Sequence, residues 1–204
     1  MFKPLGAALL LGLVAAGLWY APASAGQNRV SFPPPAGMSL TTSTPQNGLA
    51  LLSNQTASPQ YLRQIVAFRS NERPGTVIVN TSEKFLYLVL PGNRALRYGV
   101  GVAREGFEWT GTNRVSAKRE WPGWTPPAEM RLREPDLPAF MPGGPDNPLG
   151  ARALYLGSTL YRIHGTSQAW TIGQNISSGC IRLTNQDVKD LYNRVAVGAK
   201  VIVL

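Results

Sequence analysis

The 204-residue chain holds one cysteine, Cys180, and one histidine, His164. A disulfide needs two cysteines, so none forms within the chain. A protein-bound transition metal wants roughly three or four ligands. One thiol and one imidazole do not supply them, so no metal site is expected. Acidic residues are also scarce, with 11 Asp and Glu against 20 Lys and Arg, which leaves a formal net charge of +9. The sequence pI is about 10.1. A surface of that sign attracts polyanions. Apart from the pair Lys118-Arg119, the Lys and Arg residues are scattered singly and form no run, and most of them read as a solvated surface.

What is present begins at the N-terminus. Met1-Phe2-Lys3 is a short positive stretch, residues 5–19 are almost wholly apolar, and Ala23-Ser24-Ala25 is a small-x-small site. This is the pattern of a secretory signal peptide over residues 1–25, with cleavage after Ala25. The alternative is an uncleaved anchor, but a spanning helix needs about 20 apolar residues and this run is shorter. The mature chain is therefore expected outside the cytoplasm, in the periplasm or cell wall of a bacterial envelope, without stable membrane insertion. Polyanions in that compartment are wall polymers and acidic lipids, and export argues against a nucleic-acid partner. An odd cysteine in an exported protein is either intermolecular or reactive.

Residues 26–73 are expected to be a flexible Pro/Ser/Thr-rich tether and lead-in, with segments such as Phe32-Pro33-Pro34-Pro35 that lack any period. Within it, residues 61–68 suggest a short helix or strand that docks onto the domain. The folded unit is expected over residues 74–204. Pro74-Gly75 signals a turn. Residues 76–80, 84–90, 94–102, 114–118 and 200–204 read as strands, and residues 153–164 as a hairpin around Gly157-Ser158-Thr159. Val188, Leu191, Tyr192 and Val195 repeat at helical spacing. Thr184 or Asn185 is the expected cap, and Gly198 the expected stop. The fold class is mainly β with one C-terminal helix. Between strands, residues 121–150 carry eight prolines, including Pro122, Pro126, Pro127 and Pro148. That density forbids a continuous helix or central strand. Such a loop is either a binding lid or a rigid Ω-loop.

The two singular residues sit sixteen positions apart, in Ile163-His164-Gly165-Thr166 and Ser177-Ser178-Gly179-Cys180-Ile181-Arg182-Leu183. A thiolate attacks where a thiol does so poorly, and a neighbouring imidazole promotes the ionisation. The Gly165 carbonyl is a candidate to orient the His164 ring. The Gly179 and Cys180 amides are candidates to hold an oxyanion. Arg182 shares a face with Cys180 in an extended segment and suits a substrate carboxylate. From the residues alone, two readings stand: a catalytic Cys–His pair, or a structural thiol with a satisfied imidazole.

Together these segments resemble the L,D-transpeptidase catalytic domain family of the YkuD type. The likeness covers residues 74–204 and includes Pro74-Gly75-Thr76-Val77-Ile78-Val79-Asn80, Phe85-Leu86-Tyr87-Leu88 and Asn147-Pro148-Leu149-Gly150. Ser178 stands where the commonest family pattern has a second histidine. The resemblance implies a β-rich, sandwich-like fold and a peptidoglycan peptide stem as substrate. It implies that Cys180 attacks a tetrapeptide stem and expels D-Ala, with His164 as base, Gly165 as orienter, Gly179 and Cys180 as oxyanion donors, and Arg182, Ser177, Ser178 and Thr166 at the substrate. The acyl acceptor would be a second stem, giving a 3-3 cross-link, or an envelope protein. Water as acceptor would make the chain an L,D-carboxypeptidase or cysteine peptidase, and a degenerate site would leave a wall-binding module. No metal or organic cofactor is implied, and carbapenems are expected to acylate Cys180.

Overall fold

The β-branched and aromatic runs between residues 76 and 99 form adjacent antiparallel strands, because each alternates its side chains between two faces. The computed structural model describes residues 56–204. The expected signal peptide and most of the expected tether lie outside the described residues.

The strands are β1 Gln64–Ala67, β2 Val77–Asn80, β3 Phe85–Leu90, β4 Arg94–Gly99, β5 Val102–Ala103, β6 Gly111–Glu120, β7 Arg152–Leu156, β8 Arg162–His164, β9 Asn175–Ser177, β10 Ile181–Arg182 and β11 Lys200–Val203. Two α-helices accompany them, α1 Ala128–Arg133 and α2 Asn185–Arg194. Nine strands form one sheet in the order β1-β4-β3-β2-β11-β6-β7-β8-β10, and β5 pairs with β9 in a second. The long β6 joins two halves of the large sheet. Its residues 111–114 pair with β11, and beyond a bulge at Val115/Ala117 it pairs with β7. A bulge bends a strand and raises its twist, which turns the β7–β8–β10 half against the first.

The main core lies between these halves. Val77, Val79, Leu86, Leu88 and Tyr98 pack with Leu154, Leu156, Ile163, Ile181 and Leu183, and α2 adds Val188 and Leu191. Their alternates, Ile78, Tyr87 and Val89, form a smaller cluster on the opposite face of the first half. The expected apolar stripe of α2 is thus core.

The start of α2 meets expectation and its end does not. Thr184 is the cap: its hydroxyl accepts from the Asp187 amide at 3.1 Å. Asn185 is the first helical residue, and its side chain is used elsewhere. The helix stops at Arg194 rather than near Gly198, which lies in the following turn at φ +90°. The exposed carbonyls are met by a side chain instead. Lys118 of β6 donates to the carbonyls of Tyr192 at 2.5 Å and Val195 at 2.8 Å. A cation at a helix C-terminus also suits its dipole.

Strand β1 begins before Pro74 and pairs with β4, so the lead-in contributes an edge strand. Arg63 ties it to α2 through Asp187 at 3.5 Å and Asp190 at 3.2 Å. The Pro-rich segment contains one short helix, α1, in the gap between Pro127 and Pro135. Its base is closed by Trp124 and Met141, whose backbones exchange hydrogen bonds of 2.8 and 2.7 Å. Asn147, 1% exposed, staples the return: it donates to the Pro142 carbonyl at 2.9 Å and accepts from the Leu149 amide at 2.9 Å. The segment is therefore an anchored loop whose tip is α1. Among the described residues, no helix is long and apolar enough to cross a membrane.

Candidate active site

Strand pairing brings the two singular residues together. Strands β8 and β10 run parallel, with Arg182 opposite His164. Cys180 directly precedes β10, which puts it level with Arg162 at the start of β8, two residues from His164 along the strand. Strand β10 is pinned from both sides. The Leu183 amide donates to the His164 carbonyl at 2.8 Å, and Arg182 exchanges backbone bonds with Gly101 at 2.8 and 2.9 Å. Cys180 and His164 line one groove of about 900 Å³ with Ser177, Ser178, Arg162 and Arg182. The opposite wall is the Pro-rich loop, from Trp124 through α1 to Arg133, with Phe107. The loop thus has a pinned base and a tip that walls the groove.

His164 is 3% exposed. Its Nδ1 lies 2.6 Å from the Gly165 carbonyl oxygen. A carbonyl only accepts, so Nδ1 carries the proton and Nε2 is left with its lone pair. Burial, aided by the charge of Arg182, pushes the imidazole pKa down to about 3, while the carbonyls of Gly165 and Leu149 pull the other way. The ring is neutral at neutral pH.

A crowded backbone crossing holds this geometry. A Cβ at Gly150, whose φ is +63°, would overlap the Asn185 side chain and the Gly165 backbone. Asn185 Oδ1 accepts from the Ala151 amide at 2.8 Å. Sequence reasoning treated Asn185 as a cap candidate and missed this brace. No local pattern signals it, because its partners are 34 residues away.

The turn that leads into Cys180 is organised by Ser177. Its hydroxyl accepts from the Gly179 amide at 3.2 Å and donates to the Cys180 carbonyl at 2.5 Å. Ser177 is 1% exposed, so its hydroxyl is spent on the turn rather than left for a substrate. The Gly179 amide is likewise engaged. The Cys180 amide has no acceptor among the described residues. Cys180 itself is half-buried, with its sulfur 4.0 Å from the Leu160 carbonyl.

The remaining expected site residues divide. Ser178 Oγ and Arg182 Nε are buried at the groove without a hydrogen-bond partner among the described residues. Both retain capacity for a ligand. Burial lowers the Arg182 pKa, and the neighbouring Cys180 sulfur opposes this. Thr166 does not line the groove. It is 4% exposed, and its hydroxyl accepts from the Gln168 amide at 3.0 Å. It is a turn residue here rather than part of the groove.

Comparison with known proteins agrees with this architecture. Residues 74–203 match the model of the L,D-transpeptidase catalytic domain, YkuD, and the chain belongs to that family. It is 41% identical over 137 residues to the probable L,D-transpeptidase ErfK/SrfK of Escherichia coli K12, covering 63% of this chain and 43% of the relative. It is 36% identical over 165 residues to the Salmonella typhimurium protein of the same description, covering 77% and 52%. The chain thus spans about half the length of these curated relatives. In fold it is similar to the crystal structure of L,D-transpeptidase 3 from Mycobacterium tuberculosis, with a TM-score of 0.51 at 18% identity, covering 63% of this chain and 60% of that one.

Proposed function

We propose that this protein is a peptidoglycan L,D-transpeptidase that works by acyl transfer through Cys180. The observation that carries the reading is one groove lined by the chain's single thiol and single imidazole, with the imidazole oriented by the Gly165 carbonyl. The donor is a tetrapeptide stem, and its reacting carbonyl is that of the residue before the terminal D-Ala.

The chemistry follows from the geometry. Cys180 Sγ forms a bond to the carbonyl carbon while the thiol proton passes to His164 Nε2. His164 is neutral at rest, so its Nε2 lone pair is available to take that proton. The Gly165 carbonyl stabilises the imidazolium that forms, through the Nδ1 proton. The carbonyl oxygen becomes an oxyanion facing the Cys180 amide. The Gly179 amide joins only by leaving Ser177 Oγ. Collapse breaks the C–N bond, and His164 returns its proton to the leaving D-Ala amine. An acceptor amine then adds to the thioester, gives a proton to His164, and expels the Cys180 sulfur, which takes the proton back. Arg182 and Ser178, with unpartnered polar atoms in the groove, hold the stem; Arg182 takes a carboxylate. No cofactor enters the cycle.

The acceptor is a second stem, giving a 3-3 cross-link, or an amine of an envelope protein. Water instead would make the enzyme an L,D-carboxypeptidase. The signal pattern in residues 1–25 assigns the work to the periplasm and cell wall, where it serves wall biogenesis and cell shape. The test is to incubate the protein with tetrapeptide-stem muropeptides and an excess of acceptor stem, then resolve the products by mass. Free D-Ala with a cross-linked dimer supports transpeptidation. D-Ala with only tripeptide selects the water reading. No D-Ala from the folded protein refutes the acyl-transfer reading.

A further inference from the structure

The groove does not include Trp109, yet this residue holds the backbone that carries the nucleophile. Its indole Nε1–H donates to the Gly179 carbonyl at 2.7 Å. The ring lies flat on Tyr161, with centroids 4.4 Å apart and planes 3° from parallel. Tyr161 packs in turn against Gly179: at φ +105°, a Cβ there would overlap the tyrosine ring. Gly179 is therefore gripped by a carbonyl bond on one side and an aromatic wall on the other.

The consequence follows from peptide geometry. In a trans peptide the carbonyl of one residue and the amide of the next point in opposite directions across one rigid plane. The chain has no cis peptide among the described residues. Whatever fixes the Gly179 carbonyl therefore fixes the direction of the Cys180 N–H, the amide left without an internal acceptor. We propose that Trp109 is a positioning residue for the acyl-transfer step, aiming the Cys180 amide at the developing oxyanion by holding the Gly179 carbonyl, with Tyr161 holding Trp109. The inference rests on the acyl-transfer reading given above. Trp109 itself touches no substrate.

The experiment compares full-length wild type with Trp109→Phe and Tyr161→Leu. Two reactions at Cys180 are followed by intact mass: acylation by a carbapenem, resolved into its rate constant and half-saturation concentration, and alkylation by iodoacetamide. Alkylation generates no oxyanion, so it reads only the thiol and its access. Trp109→Phe keeps an aromatic ring on Tyr161 while removing the N–H together with part of the indole's stacking area. Losing a whole oxyanion donor slows such reactions about 100-fold or more, and misaiming one predicts a loss of about 10-fold or more in the acylation rate constant. The half-saturation concentration and the alkylation rate stay within about twofold, as for a group that acts only on the transition state. Tyr161→Leu shows a smaller loss in the acylation rate constant at an unchanged alkylation rate; because Tyr161 also lines the groove, its half-saturation concentration is not part of the reading, and it serves if Trp109→Phe does not fold. Unchanged acylation overturns the proposal. An equal slowing of acylation and alkylation also overturns it, since that marks a merely structural role. A wild type that is alkylated but never acylated rejects the acyl-transfer reading and this inference with it.

Discussion

Replacing Ser177 by alanine removes one oxygen and unties two backbone groups. Its hydroxyl donates to the Cys180 carbonyl at 2.5 Å and accepts from the Gly179 amide at 3.2 Å, in a residue 1% exposed. Each buried polar group left without a partner costs about 1–3 kcal/mol. Gly179 is buried, while Cys180 is half-buried and its carbonyl can recover some hydration, so the pair loses about 2–4 kcal/mol. For a chain of this size that lowers Tm by about 4–16 °C. The functional effect is separate. The turn from Ser177 to Cys180 is the frame of the nucleophile, and a small misplacement of reacting groups slows a reaction about 10-fold to 100-fold. Thermal unfolding by circular dichroism and carbapenem acylation followed by mass measure the two effects. A Tm within about 2 °C of wild type, with unchanged acylation, would refute the assignment of Ser177 to the turn.

The other predictions follow the same logic. Because burial holds the folded His164 pKa near 3, below the usual value of about 6.5, the unfolded chain takes up a proton that the folded chain refuses. This contribution to stability is full above about pH 6.5 and is lost as pH falls toward 3, by at most about 1.4 kcal/mol per pH unit; urea melts across that range, with His164→Gln as the variant lacking the slope, measure it. Lys118→Met removes two bonds to the last carbonyls of α2 and is expected to lower stability by about 1–3 kcal/mol while leaving acylation of Cys180 unchanged. Gly150→Ala forces a Cβ into the Asn185 side chain and the Gly165 backbone; we expect a loss of about 3 kcal/mol or more, read by Tm, together with slowed acylation from a displaced His164. Arg182→Lys keeps the charge but loses the planar fork, so the half-saturation concentration for tetrapeptide stem should rise several-fold more than the turnover number falls.

Local pattern made some elements legible and hid others. The strands containing Val77, Val79, Leu86 and Leu88 were readable because their runs are rich in β-branched and aromatic residues. The apolar stripe of α2 was readable from its period of 3.6. Thr184 was a fair cap candidate because its partner, Asp187, is three residues away. The end of α2 was not readable, because its carbonyls are met by Lys118, 74 and 77 residues distant, rather than by a local glycine. Helix α1 was obscured by its flanking prolines, which forbid helix across the segment but not in the gap between them. At the site, His164 and Cys180 were visible as the only residues of their kinds, and Gly165 as the neighbour whose carbonyl reaches the ring. Thr166 and Ser177 looked like substrate contacts because adjacency in sequence says nothing about which way a hydroxyl points. In the fold both hydroxyls are turned to the backbone. Asn185 and Trp109 could not be found at all, since each acts through a contact that only the tertiary structure creates.

The central claim is that Cys180 is an activated nucleophile for acyl transfer. The most direct measurement is intact-mass analysis of the folded full-length protein exposed to a carbapenem, beside Cys180→Ala. The account predicts one covalent adduct on the wild type and none on the variant. No adduct on a folded wild type, or an adduct that persists when Cys180 is replaced, would contradict it.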